Sequence, residues 1–368
     1  MAQHAGTIPA VILGLGLALA GGCVAERLGP ASELTDEPQV LTIRAEPPEA
    51  RPGDVVTLDA LVHWPGDDWE AHWLVCVPER VDALSTCVGD SFPDDGDLPD
   101  CLTEPYAPLC RLPSGPVTQV LVPPFPPLPP GESFPVFVEL LVARASAGWQ
   151  GCRQAVADAE PTPDCLLALK TVWLTSEPEP NRNPEVTALV VDGVTYDATA
   201  PLVVGADASD LERVEVELEL VVDATGVDEF VQDEDAPEEV ALDVSWFVTC
   251  GSVSKASNDF LFSDEPNPGD VNCVLSADAT APPECEPAQA VWKPREPGTC
   301  VVHAVVRDGF GGVGHVTRVF DVRGTAATEK SQPRRMCGCR AGPEALPSAL
   351  PPFLLIFVWL LWRRRKSL

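Results

Sequence analysis

The sequence predicts an all-β protein: two antiparallel β-sandwich domains in tandem, with terminal segments that stand outside the fold. Three observations carry that expectation. Apolar and polar residues alternate with a period of two in short runs, most clearly where Val214, Val216, Leu218 and Leu220 interleave with Glu215, Glu217 and Glu219. That spacing puts every Val/Leu on one face and every Glu on the other, as a half-buried strand requires. The 40 Pro and 27 Gly residues punctuate these runs as turns do. The cysteines between the two ends of the chain form two even blocks: Cys76, Cys87, Cys101, Cys110, Cys152 and Cys165, then Cys250, Cys273, Cys285 and Cys300. Even counts per block read as disulfides formed in an oxidising compartment, and no C-x-x-C spacing among them suggests zinc.

Taken in order, residues 1–22 read as an export signal peptide. An apolar run over 8–20 is followed by Gly21 and Gly22; its length suits a signal sequence and is too short to cross a bilayer. Leu19-Ala20-Gly21-Gly22-Cys23 resembles a bacterial lipoprotein signal, which implies lipidation at Cys23. Its Leu stands one place further from the Cys than that pattern has it. Cleavage after Ala18-Leu19-Ala20 is the alternative, and it leaves Cys23 a plain thiol.

Residues 23–37 read as a linker, and residues 38–176 as the first sandwich. Its strand candidates lie at 40–45, 55–64, 72–76, 117–122, 134–143 and 166–175. A Pro-rich linker follows at 177–184, where prolines cannot pair into a sheet and favour an extended spacer. Residues 185–323 read as the second sandwich, with strand candidates at 185–191, 211–222, 241–250, 299–307 and 315–323. No run with helical period and convincing length occurs in either block. A third linker occupies 324–335.

Two segments carry a family resemblance. Trp292-Lys293-Pro294 leads through Gly298 to the strand from Cys300, and a Gly-rich turn, Asp308 to Gly312, joins it to the last strand. This is similar to the closing hairpin of bacterial Ig-like and PKD-like domains. The segment from Ala45 through Pro52-Gly53 to Leu58 is similar to the opening strands of the same broad class. The resemblance implies that Trp246 is the buried tryptophan of strand C. It also implies that the end of strand C lies beside the start of strand F, which would join Cys250 to Cys300 and leave Cys273 for Cys285. In the first block one pair is named, Cys152 with Cys165, because the intervening segment is polar and contains Pro. The resemblance says nothing of activity.

At the C-terminus, residues 336–368, Met336-Cys337-Gly338-Cys339-Arg340 precedes an apolar stretch over 345–362, broken by Pro347, Pro351 and Pro352, and then Arg363, Arg364, Arg365 and Lys366. This order resembles the myxobacterial-type C-terminal sorting signal, which implies that Cys337 or Cys339 is the attachment or cleavage site. A plain transmembrane tail anchor is the alternative. Its Pro-free part, 353–362, would span only about 15 Å of a core about 30 Å thick. The basic cluster would stay cytoplasmic, with everything before it outside.

Charge narrows the function classes. The formal net charge is −32, and residues 24–329 hold 16 basic against 55 acidic groups. A body this negative repels nucleic acid and anionic lipid. Ser252-Val253-Ser254-Lys255 matches a Ser–Lys acylation motif, but that motif works on a helix and this one follows a strand. His63 and His72 flank Trp64, Trp69 and Trp73, a candidate glycan platform whose commoner reading is core. His303 and His315 fall on neighbouring strands and could face each other, although two ligands do not make a metal site. Asp94, Asp95 and Asp97 form an acidic loop that could hold calcium weakly, or serve solubility alone; no other cofactor is expected. No phosphate loop, hydrolase elbow or dinucleotide fingerprint occurs. The expectation is a non-enzymatic, exported protein anchored at the cell surface or outer membrane at one or both ends. Its role would be structural, adhesive or in envelope assembly. Glycan binding through the three tryptophans, or docking of a basic partner on the acidic face, are the alternatives.

Overall fold

The computed structural model describes residues 31–34, 37–66, 68–76, 87, 98–104, 107, 109–122, 128–129, 132–157, 164–177, 180–195, 201–205, 211–227, 239–255, 268–274 and 284–325. Strand β1 (Ala31–Glu33) comes first. The first sandwich follows with β2 (Gln39–Glu46), β3 (Glu49–Ala50), β4 (Val55–His63), β5 (Trp69–Cys76), β6 (Leu109–Leu112), β7 (Val117–Leu121), β8 (Ser133–Arg144), helix α1 (Gly148–Ala157) and β9 (Cys165–Thr175). Its sheets are β2-β4-β7 and β3-β9-β8-β5-β6.

The second sandwich contains β10 (Glu185–Val191), β11 (Val194–Thr195), β12 (Leu202–Val204), β13 (Val216–Asp223), β14 (Glu239–Val248), β15 (Ser252–Lys255), β16 (Val271–Val274), β17 (Glu284–Glu286), β18 (Ala288–Lys293), β19 (Gly298–Arg307) and β20 (Val313–Val322). One sheet is β11-β10-β13-β18-β15; the other is β12-β20-β19-β14-β16-β17, with β1 also on β14.

Both are Ig-like antiparallel β-sandwiches. In the second, β10, β13, β18 and β15 take the places of strands A, B, E and D, and β14, β19 and β20 those of C, F and G. Each sandwich opens with a strand that changes sheets. β2 pairs antiparallel with β4 while β3 crosses to run parallel to β9; β10 pairs with β13 while β12 runs parallel to β20.

The alternation read in the sequence is the burial pattern of β13: Val216, Leu218, Leu220 and Val222 point into the second core, and Glu217 points to solvent. That core closes around Trp246, Trp292 and Phe320; the first closes around Trp73, Leu58, Leu140 and Leu174. Disulfides tie the loops to the sheets: Cys76–Cys87, Cys101–Cys110 and Cys152–Cys165 in the first sandwich, Cys250–Cys300 and Cys273–Cys285 in the second.

Four expectations need correction. The strand expected from 211 begins at Val216, because Leu211–Arg213 is a single 3-10 turn that drops a fully buried Leu211 into the core. Helix α1 was not expected. Cys152 is fully buried, and its disulfide to Cys165 and the packing of Trp149 on His72, with ring centroids 5.3 Å apart, hold the helix down. The first linker is not all spacer, since β1 pairs parallel with β14, Ala31 opposite Trp246. Nor is the Pro-rich linker a free spacer: Asn181 within it is 1% exposed.

Both sandwiches lie in one compact unit that ends at Ala327. The C-terminal segment, 328–368, lies outside the described residues.

Candidate functional site

The residues singled out by sequence do not converge. Trp73 is fully buried and gives its indole N–H to Gly115 O at 2.7 Å. Trp64 is also a core residue, with the Arg144 guanidinium 5.9 Å from its ring centre, and only Trp69 is half-buried. A three-tryptophan platform is therefore not formed, because the alternation of β5 turns Trp73 inward. His72 lies against Trp149, with Ser114 Oγ 3.3 Å from its Nδ1; burial lowers its pKa although Glu70 opposes the shift.

Ser252 and Lys255 lie on β15, where a separation of three puts them on opposite faces. Lys255 instead meets Asp270, and Asp243 at 3.4 Å. That geometry provides no Ser–Lys dyad. Asp94, Asp95, Asp97, Cys23, Cys337 and Cys339 lie outside the described residues. Among the described residues, no group of His, Cys, Asp or Glu is arranged to hold a metal ion, and no helix is long and apolar enough to cross a membrane.

What the fold does bring together is the junction between the sandwiches. On β19, Val302, Ala304 and Val306 face the second core, so His303, Val305 and Arg307 face outward. That outward face is covered. Phe247, Val305 and Val313 from the second sandwich form one apolar cluster with Leu41 and Leu34, and Leu61 of β4 packs against it.

Polar staples surround the cluster. Arg307 donates to Leu41 O and to Ser245 Oγ, each at 3.0 Å. Lys170 on β9 donates to Gly311 O in the turn between β19 and β20. Asn183 is shared: its Nδ2 donates to Ala45 O at 2.7 Å, and its Oδ1 accepts the Val313 N–H at 2.7 Å. Asp308, 1% exposed, accepts Asn181 Nδ2 at 2.7 Å and the Phe310 and Gly312 amides at 2.8 Å, which fixes the turn.

Close approach at this point demands glycine, for a Cβ on Gly314 would lie 2.2 Å from Pro184 O. A cleft of about 400 Å³ remains beside the staples, lined in part by Thr42, Lys170, Trp173, Arg307 and Phe310. Its two cations reach across to backbone carbonyls, so their evident work is to lock one sandwich to the other.

The staples predict a measurable cost. Asn183→Ala removes one donor and one acceptor shared by both sandwiches, and should weaken the closed junction by about 1–3 kcal/mol. Faster amide exchange at Val313, with Leu218 unchanged, is the expected reading.

No protein-family profile and no curated protein matches the chain. Solved structures similar to it include the native conformation of E. coli alpha-2-macroglobulin, at 10% identity and TM-score 0.21, covering 77% of this chain and 16% of that one. The tandem Ig repeats of Dlar match at 12% identity and TM-score 0.21, over 79% of this chain and 100% of that one. The two tandem V-type regions of VCBP3, a v-region-containing chitin binding protein, match at 13% identity and TM-score 0.26, over 77% and 100%. The strand pairings described above carry the Ig-like assignment; matches this distant add nothing on activity or ligand.

Proposed function

We propose that the protein is an exported, non-enzymatic component of a bacterial envelope, anchored through its ends and displaying a locked pair of Ig-like sandwiches for a structural, adhesive or assembly role. The observation that carries this reading is that ten cysteines form five disulfides, each within its own sandwich. Such a set belongs to an oxidising compartment. The acidic surface keeps an exposed body soluble and suits no nucleic acid.

Cys23 is the proposed lipidation site, and Cys337 or Cys339 the proposed sorting site. The test is mass spectrometry of the native protein, alkylated before and after reduction. Ten cysteines protected until reduction, in material recovered from the membrane fraction, are expected. Reactive thiols at Cys250 or Cys300 in native material would overturn the reading. Acyl mass on Cys23, or a chain ending near Cys339, would identify the anchor.

A second reading, docking of a basic partner, has one observation in its favour: β13 turns Glu217 outward beside Glu215 and Glu219. Such binding would fall steeply with salt, and a salt-independent affinity would remove it.

A further inference from the structure

The junction holds three of the chain's 5 histidines. His303 is 7% exposed and lies on the outward face of β19 with Val305 of the apolar cluster, opposite Thr317 of β20. Its Nδ1 lies 2.9 Å from the hydroxyl of Thr317, a neutral partner. His63 on β4 and His315 on β20 are close enough to act on it electrostatically. His315 Nε2 is 3.5 Å from Asp59 Oδ2 across the junction.

The other charged groups around this face come from every element packed there. β4 supplies Asp59 and His63, and β2 supplies Arg44 opposite Asp59. β20 supplies His315, β19 supplies Arg307, the turn after it supplies Asp308, β14 supplies Asp243 and β9 supplies Lys170. Asp59 faces His315, so a charge on His303 would meet two imidazoles and the neutral Thr317 hydroxyl.

We propose that this histidine-lined junction is an acid-opened latch: the sandwiches lie closed on each other at neutral pH and part in acid, each keeping its own disulfide-bonded fold. The inference concerns the folded body alone and holds whether or not the protein is anchored.

The direction follows from linkage. In the closed state, burial first, then His63 and His315, hold the His303 imidazole down to about 4. Once the sandwiches part, the ring is hydrated and titrates near about 6.5. A base with a lowered closed-state pKa contributes stability that is fully present above about 6.5. That contribution is lost as the pH falls toward the closed-state value. The closing constant therefore drops by up to about tenfold per pH unit in that window.

Hydrogen exchange on the full-length chain in detergent, corrected for the intrinsic pH dependence of exchange, tests this. The Val313 amide donates to Asn183, whose Nδ2 bonds Ala45 O of the first sandwich, so its protection reports closure. The Leu218 amide in β13 reports the integrity of the second sandwich. Between pH 7.5 and 4.5, protection at Val313 should fall by roughly 50- to 100-fold with Leu218 unchanged. His303→Phe, which fills the site without a titratable group, should hold Val313 protection nearly constant; His303→Gln gives the same comparison with a smaller side chain. Constant protection in the unmodified chain down to pH 4.5 would overturn the latch. So would an equal loss of protection in both variants.

Discussion

Trp292→Ala should lower the stability of the protein by about 3–5 kcal/mol, read as a lower denaturant midpoint with an unchanged slope. Trp292 lies on β18, fully buried, with its ring centre 4.8 Å from that of Phe320 on the facing sheet. Its Nε1 donates to Cys250 O at 2.9 Å. Truncation leaves a cavity between the sheets and a carbonyl without its donor, two costs that add. Trp292→Phe keeps most of the volume and loses the hydrogen bond, so it should cost about 1–3 kcal/mol. Trp246 offers the comparison: it is equally buried, but its Nε1 has no hydrogen-bond partner among the described residues. Replacing it with Phe should therefore cost less than the same change at Trp292. Equal losses at the two sites would show that the Cys250 contact contributes nothing.

Removal of Cys250–Cys300 by double alanine substitution should cost about 4 kcal/mol. It closes 50 residues between the end of β14 and the start of β19, and the unfolded chain regains that freedom when the bond is absent. Cys273–Cys285, which closes 12 residues between two paired strands, should cost about 3 kcal/mol by the same reasoning. The paired measurement is chemical denaturation of both variants under oxidising conditions. A smaller loss for Cys250–Cys300 than for Cys273–Cys285 would contradict the loop-entropy account and point to strain in the native bond.

The strands that were legible are those whose neighbours impose a period of two over many residues. β13 buries one full face and its alternation says so, while β19 is buried on both faces over most of its length and reads as a near-continuous apolar run. β18, six residues with alternating burial, was also missed, and most of the other strands that were not legible are short and defined by their partners. β1, β3, β12 and β17 have two or three residues each, too few to show any period. Helix α1 was hidden for a related reason: it carries two glycines, and a disulfide, not an apolar stripe, holds it against the sheet.

The junction was legible only in fragments. His303 and His315 could be placed on neighbouring strands, but His63 comes from the other sandwich, and no local pattern links it to them. Asn181 and Asn183 read as ordinary linker residues because their partners, Asp308 and Val313, lie more than a hundred positions away. The candidate tryptophans failed on a matter of register. One position decides whether an aromatic residue faces water or core, and on β5 it faces core at Trp73.

The parallel pairing of β1 with β14 has a consequence for the order of assembly. Ala31 leaves the ribosome early, yet the backbone it bonds to, at Trp246, is made roughly 200 residues later. Until then the leading segment has no edge to rest on, and Leu34, which later seals the apolar cluster, lacks Phe247, Val305 and Val313 to cover. The earliest part of the body to be synthesised is thus among the last to settle. A chain truncated anywhere before β14 would leave that segment unsheltered, an opportunity for quality-control proteases to recognise incomplete copies.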